Sequence, residues 1–567
     1  MSSIKKIYNL VPPERRRALP KVVLSALLSA VVDLAGIAAL VSVLLVVLDE
    51  NIVVTNPLFG RLYDLFGFSS TGAFVAAVCG VVLLIIALKG VVGVALSEVR
   101  ARYMLLLYAD LSKRMYDSYL SRGLLFVRSH HTTTLVNNVN AVCHRFASGV
   151  VSSLLGILTE VLVVVTLLVL LSLYNPMIVA LAVVVFVPIA LIYSRIIRRR
   201  MMENGKEENR LQVGQNKTMY EALRGYADIE IAGAKPSITK RFSEGIDSLR
   251  HYSLRALRMR SASSYVIEFS LVLGVVAVIL LGIAMGHSVT SLKVFLGVFA
   301  VSAYRIVPSI SRIVGGWTEY KRTSYVVDLL HDELSVDVAI VPQTAEKLPF
   351  ERELSLVGVS FGYNPSERVL DGYSLTIRKG ERIGIQGSSG RGKTTLFNLL
   401  AGLFVPEEGK LCVDGQAVDT PLARRMWQNN VAYVSQDLFI PDQTIAENVA
   451  LGVEKEKIDM ERVMRSLEAA RLGEFVASLP EGVDTVTGEA GCRLSGGQRQ
   501  RIGIARALYK EASVLMFDEA TSSLDEKTAR EIVDAVAGLS ESNRELTILF
   551  ISHNARTLDF CDRVVEL

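Results

Sequence analysis

The sequence predicts two parts: a helical membrane-spanning domain of six helices, then an α/β domain of alternating strands and helices. Six apolar stretches carry the first half of that expectation, at 22–48, 73–97, 150–173, 177–197, 265–286 and 292–315. A membrane-crossing helix needs roughly twenty apolar residues, and each stretch reaches about that length. The second half rests on residues from 350 onward, where apolar strands such as Arg382–Gln386 and Val514–Phe517 alternate with helical segments, an α/β pattern. Over 567 residues the chain is 51% hydrophobic. Its mean hydropathy is +0.38. That is too apolar for an ordinary soluble protein, and no globular core needs six such runs.

Topology follows from charge. The N-terminal segment holds Lys5, Lys6, Arg15, Arg16, Arg17 and Lys21, whereas 49–72 holds Asp49, Glu50, Arg61 and Asp64. The loop near 98–145 is basic, the link at 174–176 is short and uncharged, and 195–260 carries 15 Lys/Arg against 8 Asp/Glu. Lys and Arg favour the cytoplasmic side. The N-terminus, both long loops and the C-terminal half are therefore expected in the cytoplasm, and the protein in the cytoplasmic (inner) membrane. The long loops read as charged continuations of the spanning helices, at Glu98–Tyr119 and Glu203–Arg224. Gly225, Gly233 and Pro236 mark a break in the second. The first apolar run is long and lacks a small-residue cleavage site, so it reads as an anchor. Cys79, Cys143, Cys412, Cys492 and Cys561 have neither disulfide-framework nor metal-ligand spacing.

The chemistry lies in the second half. Gly387, Ser388, Ser389, Gly390, Arg391, Gly392, Lys393 and Thr394 follow the strand Ile383-Gly384-Ile385 and open a helix expected over Thr395–Ala401. Strand, glycine-rich loop and helix in that order make a phosphate-binding loop. Glycines let backbone N–H groups converge on phosphate oxygens, and the helix N-terminus adds a positive dipole end. Lys393 would neutralise the β/γ-phosphates and the Thr394 hydroxyl would bind Mg²⁺. Asp518 ends the apolar strand Val514–Phe517, where a carboxylate holds Mg²⁺ through water, and Glu519 is placed to orient or deprotonate an attacking water. ATP and Mg²⁺ are the implied cofactors.

Between these motifs lies Leu494-Ser495-Gly496-Gly497-Gln498. With that run, the chain resembles ABC-type ATPases, and the resemblance extends to further residues. It implies that Gln436 senses nucleotide and contributes to the metal site, that His553 contacts the γ-phosphate, and that Tyr363 stacks on adenine. It implies that Ser523-Leu524-Asp525 crosses a dimer interface, and that Glu489 meets the cytoplasmic loops. Ser495, Gly496, Gly497 and Gln498 would hold the γ-phosphate on the opposite subunit's phosphate loop, so a second copy of the chain is the expected partner. The domains are then 1–331, six spans and two long cytoplasmic loops; 332–349, a linker; and 350–567, the nucleotide-binding domain. The chain departs from the resemblance at Val564-Val565-Glu566-Leu567, where relatives continue into another short strand.

Fused spans and ATPase with long helical extensions resemble ABC exporters, and the six spans exclude a soluble ATPase acting on nucleic acid. Arg305 and Arg312 are the clearest ionisable residues of the sixth span. Their spacing of seven puts them on one helix face about 10 Å apart, with Pro308 between. Two readings stay open. In one the arginines handle a phosphate or diphosphate, which a guanidinium fork suits; in the other they pair with Asp33, Glu160 or Glu268 inside the bundle. Lys89 and Glu98 are expected to snorkel or to lie above the membrane. The run Ala303–Ile313 resembles the sixth span of the lipid-linked oligosaccharide flippase of bacterial protein N-glycosylation. That resemblance implies transport of a polyprenyl-diphosphate-linked glycan and a short external helix over Pro57–Phe68. A third family arginine is unmatched, with Ser264 in its place. A multidrug, glycolipid or peptide exporter is the alternative, and a membrane regulator without cargo a further one.

Overall fold

The structure, a computed structural model, describes residues 3–48, 57–68, 70–174, 176–284, 289–336, 344–364, 367–388, 390–520, 525–553 and 555–567. It divides into two compact units, Met1–Leu120 with His130–Asp337, and Ser121–Ser129 with Val338–Leu567.

Six long helices dominate the first unit: α1 (Leu19–Leu48), α2 (Thr71–Ser121), α4 (Ser152–Tyr174), α5 (Pro176–Arg224), α6 (Lys235–Ala284) and α7 (Val289–Thr323). Each overlaps one of the six predicted apolar stretches. Among the described residues, four segments are long and apolar enough to cross a membrane: Pro13–Gly36, Thr71–Ser121, Thr132–Val169 and Lys235–Val276. At 1.5 Å per residue the 51-residue α2 runs well past a bilayer, so its charged end continues the span without a break. Helix α5 stops at Arg224, one residue before Gly225, and a short helix Tyr226–Ile231 follows. A short helix spans Pro57–Leu65, inside the stretch Pro57–Phe68 where one was expected.

Small residues set the helix spacing. A Cβ on Gly205 of α5 would lie 1.9 Å from the carbonyl oxygen of Arg322 on α7. Ala30 of α1, Val163 and Leu167 of α4 and Ile306 of α7 form one buried apolar cluster.

The second unit holds two sheets. Five parallel strands run in the order β6-β7-β8-β3-β9, and an antiparallel sheet has the order β2-β1-β4-β5. The strands are β1 (Glu353–Asn364), β2 (Glu367–Arg378), β3 (Arg382–Gln386), β4 (Glu408–Val413), β5 (Gln416–Ala417), β6 (Val431–Val434), β7 (Val514–Asp518), β8 (Thr547–Ile551) and β9 (Arg563–Glu566). Every residue of β7 and β8 is buried, which explains their continuous apolar runs. Asn429 and Asn430 tie residues 344–348 to this unit through hydrogen bonds to the Thr344, Glu346 and Leu348 carbonyls, each 2.8 Å. Helix α3 (Gly123–Ser129), which follows α2 in the chain, groups with this unit, and its Leu124 packs against the apolar core beneath β1 and β3.

Candidate nucleotide site and membrane cavity

The site sits where parallel strands end. Strand β3 delivers the phosphate loop into helix α8 (Lys393–Leu400), two residues earlier than the expected start. Gly390 and Gly392 take φ of 84° and 94°. At Gly392 a Cβ would also lie 2.6 Å from the Val369 side chain, so the turn admits no larger residue without displacement. The Lys393 ammonium folds back on the loop, donating to the carbonyls of Gly387 at 2.7 Å and Ser388 at 3.1 Å. Ser389 lies outside the described residues.

One cavity of about 430 Å³ collects nine of the predicted nucleotide residues: Tyr363, Gly390, Gly392, Lys393, Thr394, Thr395, Gln436, Glu519 and His553. Glu519 reaches it by leaving β7 in the left-handed region, with φ of 51°. Its two carboxylate oxygens have separate partners. Oε1 lies 2.8 Å from Nε2 of His553, and Oε2 accepts from Nε2 of Gln436 at 3.1 Å. The Tyr363 hydroxyl is 2.9 Å from that of Thr395, and its ring meets Phe361 and Phe404 edge-on.

Asp518 is 2% exposed. Burial raises its carboxyl above the ordinary range, against hydrogen bonds from Tyr433 and Thr394. Tyr433 donates at 2.9 Å, and burial beside that carboxylate raises the phenol in turn. Tyr433 was not singled out from the sequence. The only available signal was a polar-tipped residue within the apolar strand β6, and its reach to Asp518 depends on the β6–β7 pairing.

The signature run lies elsewhere. Ser495 caps helix α9 (Gly496–Tyr509): its hydroxyl accepts from Gln498 N, and the Gln498 side chain accepts from Ser495 N. None of Ser495, Gly496, Gly497 or Gln498 is among the described residues lining the cavity. Asp525 likewise caps helix α10 (Glu526–Ser542), and its bond to Thr528 holds the carboxyl below the usual range. Ser523 and Leu524 lie outside the described residues.

In the membrane half, the side chain of Arg305 lies outside the described residues. Arg312 pairs with Glu160, Nε to Oε1 at 2.5 Å, with Nη2 donating to Oε2 at 3.3 Å. Of the three candidate carboxylates, Glu160 is the one that Arg312 contacts. The Lys89 ammonium lies 2.9 Å from Asp33. Asp33, Arg100, Glu160 and Arg312 line a common cavity of about 520 Å³.

A phosphate loop and an Asp-Glu strand end, in a chain of membrane-length helices, define a membrane-embedded P-loop ATPase. The chain belongs to the ABC transporter family. Residues 370–522 match the family described as ABC transporter, and residues 14–303 the ABC transporter transmembrane region. It is an exporter-type membrane protein that binds ATP and couples its hydrolysis to transport. An "ATP-dependent lipid A-core flippase" of Cupriavidus metallidurans is 33% identical over 461 residues, covering 80% of this chain and 76% of that one. One of Burkholderia orbicola is 30% identical over 558 residues, covering 97% and 91%. The structure of a bacterial Atm1-family ABC exporter with ATP bound aligns with TM-score 0.79, covering 97% of this chain and 94% of that one. At 21% identity, the likeness is of fold alone.

Proposed function

We propose that two copies of this chain, in the cytoplasmic membrane, flip an anionic glycolipid at the expense of ATP. The observation that carries the substrate class is the membrane cavity, which Arg100 of α2, just past the apolar stretch 73–97, and Arg312 of α7 both line. The flippase relatives support the same class, since lipid A is a glycolipid. A polyprenyl-diphosphate-linked oligosaccharide is the second reading, favoured by the seven-residue spacing of Arg305 and Arg312 on the continuous helix α7. The two cargoes share a phosphorylated sugar headgroup, which a guanidinium grips as a fork.

The ATP chemistry follows from the cavity. Lys393 and the phosphate-loop amides take the β/γ-phosphates. Glu519, held between His553 and Gln436, orients the attacking water and takes its proton. His553 faces the γ-phosphate and Tyr363 the adenine. The Thr394 hydroxyl, the Asp518 carboxylate and the Gln436 amide are hard oxygen donors that fit Mg²⁺, with substrate phosphates completing its shell. That ion would neutralise charge building on the β/γ oxygens. The signature run argues for the second copy. Its amides head a 14-residue helix suited to an anion, yet it does not line the cavity of its own chain.

The test is ATP-dependent translocation in proteoliposomes, using fluorescent lipid A and a fluorescent polyprenyl-diphosphate oligosaccharide. Movement of either lipid, absent in Glu519→Gln, is expected. Failure of both, with ATPase stimulated by hydrophobic drugs, would overturn the lipid reading.

A further inference from the structure

The cavity between α1, α2, α4 and α7 is lined by two cations, Arg100 and Arg312, and two carboxylates, Asp33 and Glu160. Both carboxylates already have cationic partners. Lys89 takes Asp33 at 2.9 Å, and Arg312 takes Glu160 at 2.5 Å. Arg100 lines the same cavity and, among the described residues, makes no ion pair. It is half-buried, so its charge is only partly answered by water.

The Arg312–Glu160 pair is lopsided. The Glu160 side chain is 11% exposed, whereas that of Arg312 is 51% exposed and open to the cavity. Glu160 engages Nε and Nη2, one of the two edges through which a guanidinium grips an oxyanion in parallel. An arriving phosphate either displaces the carboxylate from that edge or binds the outer edge against its negative field. In both cases Glu160 competes with the ligand.

We propose that Glu160 is a latch on the anion site: Arg100 is the standing receptor for a phosphate-bearing headgroup, and Arg312 joins it as Glu160 lets go. The latch rests on the anionic-lipid reading above and adds a selectivity rule to it. A weakly charged lipid engages Arg100 but cannot outcompete Glu160 for Arg312. A headgroup with two phosphates can.

The experiment uses the full chain in phosphatidylcholine nanodiscs. Binding is read from the fluorescence of Trp317, the residue after the cavity-lining Gly316, with lipid A carrying two phosphates as one probe and inorganic diphosphate as the other. Glu160→Gln keeps the shape and removes the competing charge, so lipid A should bind about tenfold more tightly. Arg100→Gln breaks no ion pair among the described residues, and should weaken binding about tenfold. In Glu160→Gln, a lipid with one phosphate should approach the affinity of lipid A. Unchanged or weaker binding in Glu160→Gln, with a lower melting temperature, would make the pair structural and overturn the latch. Absence of binding by both probes would overturn it too. Diphosphate binding as tightly as lipid A, with the same response to the two variants, would keep the latch and sink the lipid reading instead.

Discussion

The Nε2 atom of His553 lies 2.8 Å from Oε1 of Glu519, across the mouth of the phosphate loop. The second oxygen of that carboxylate is held by Gln436 at 3.1 Å. A carboxylate gripped at both oxygens has little rotational freedom, which is what a group that must aim a water requires.

Glu519→Gln keeps the shape and the contact with Gln436 but removes the proton acceptor. ATP binding should persist while turnover falls by roughly 10²–10⁴-fold, the usual contribution of a general base. A filter-binding assay beside a phosphate-release assay measures both. Turnover within a few-fold of the parent would remove Glu519 from the catalytic role.

Tyr433→Phe takes the hydroxyl from a buried carboxylate. Asp518 would keep Thr394 as a donor yet be under-bonded, at a cost of about 1–3 kcal/mol. Thermal melts should show that loss, and the dependence of ATPase activity on Mg²⁺ should move to higher concentrations. An unshifted Mg²⁺ curve would show that the phenol matters only for packing.

Gly205→Ala tests the approach of α5 to α7. The new methyl carbon would stand 1.9 Å from the Arg322 carbonyl oxygen. Relief requires the helices to part, so overpacking should cost about 1–3 kcal/mol or more. Differential scanning calorimetry in detergent would register it, and an unchanged melting temperature would contradict the packing.

Lys510 gives a pH signature. Its ammonium donates to the carbonyls of Gln428 at 2.7 Å and Val431 at 2.6 Å. Burial, with Arg425 and Lys347 adding to it, holds it at about 8, below its ordinary 10.5. Below pH 8 the lysine is charged in both folded and unfolded chains, and the cost of burying that charge is fully present. Between pH 8 and 10.5 the folded form sheds the proton while the unfolded form keeps it. The contribution of Lys510 to stability therefore rises with pH across that window. Melts from pH 7.5 to 9.5, compared with Lys510→Met, should show a rise that the variant lacks. Parallel curves would place the lysine in solvent.

The sequence by itself determined the six membrane-length helices, the phosphate loop and the carboxylates at the end of β7. Each is written in contiguous residues whose spacing follows from local geometry: a bilayer's thickness, a turn too tight for side chains, a strand that ends at a cavity. The meeting of Tyr363, Gln436, Glu519 and His553 was anticipated only through resemblance, because strand order brings them together from positions far apart. Tertiary structure alone decided the ion pairs. Arg312 had three candidate carboxylates and found Glu160, 152 residues away. Lys89 found Asp33, and Tyr433 found Asp518. A charge in a low-dielectric interior must take a partner, but which partner depends on helix rotation and strand register, and neither leaves a periodic trace in the chain.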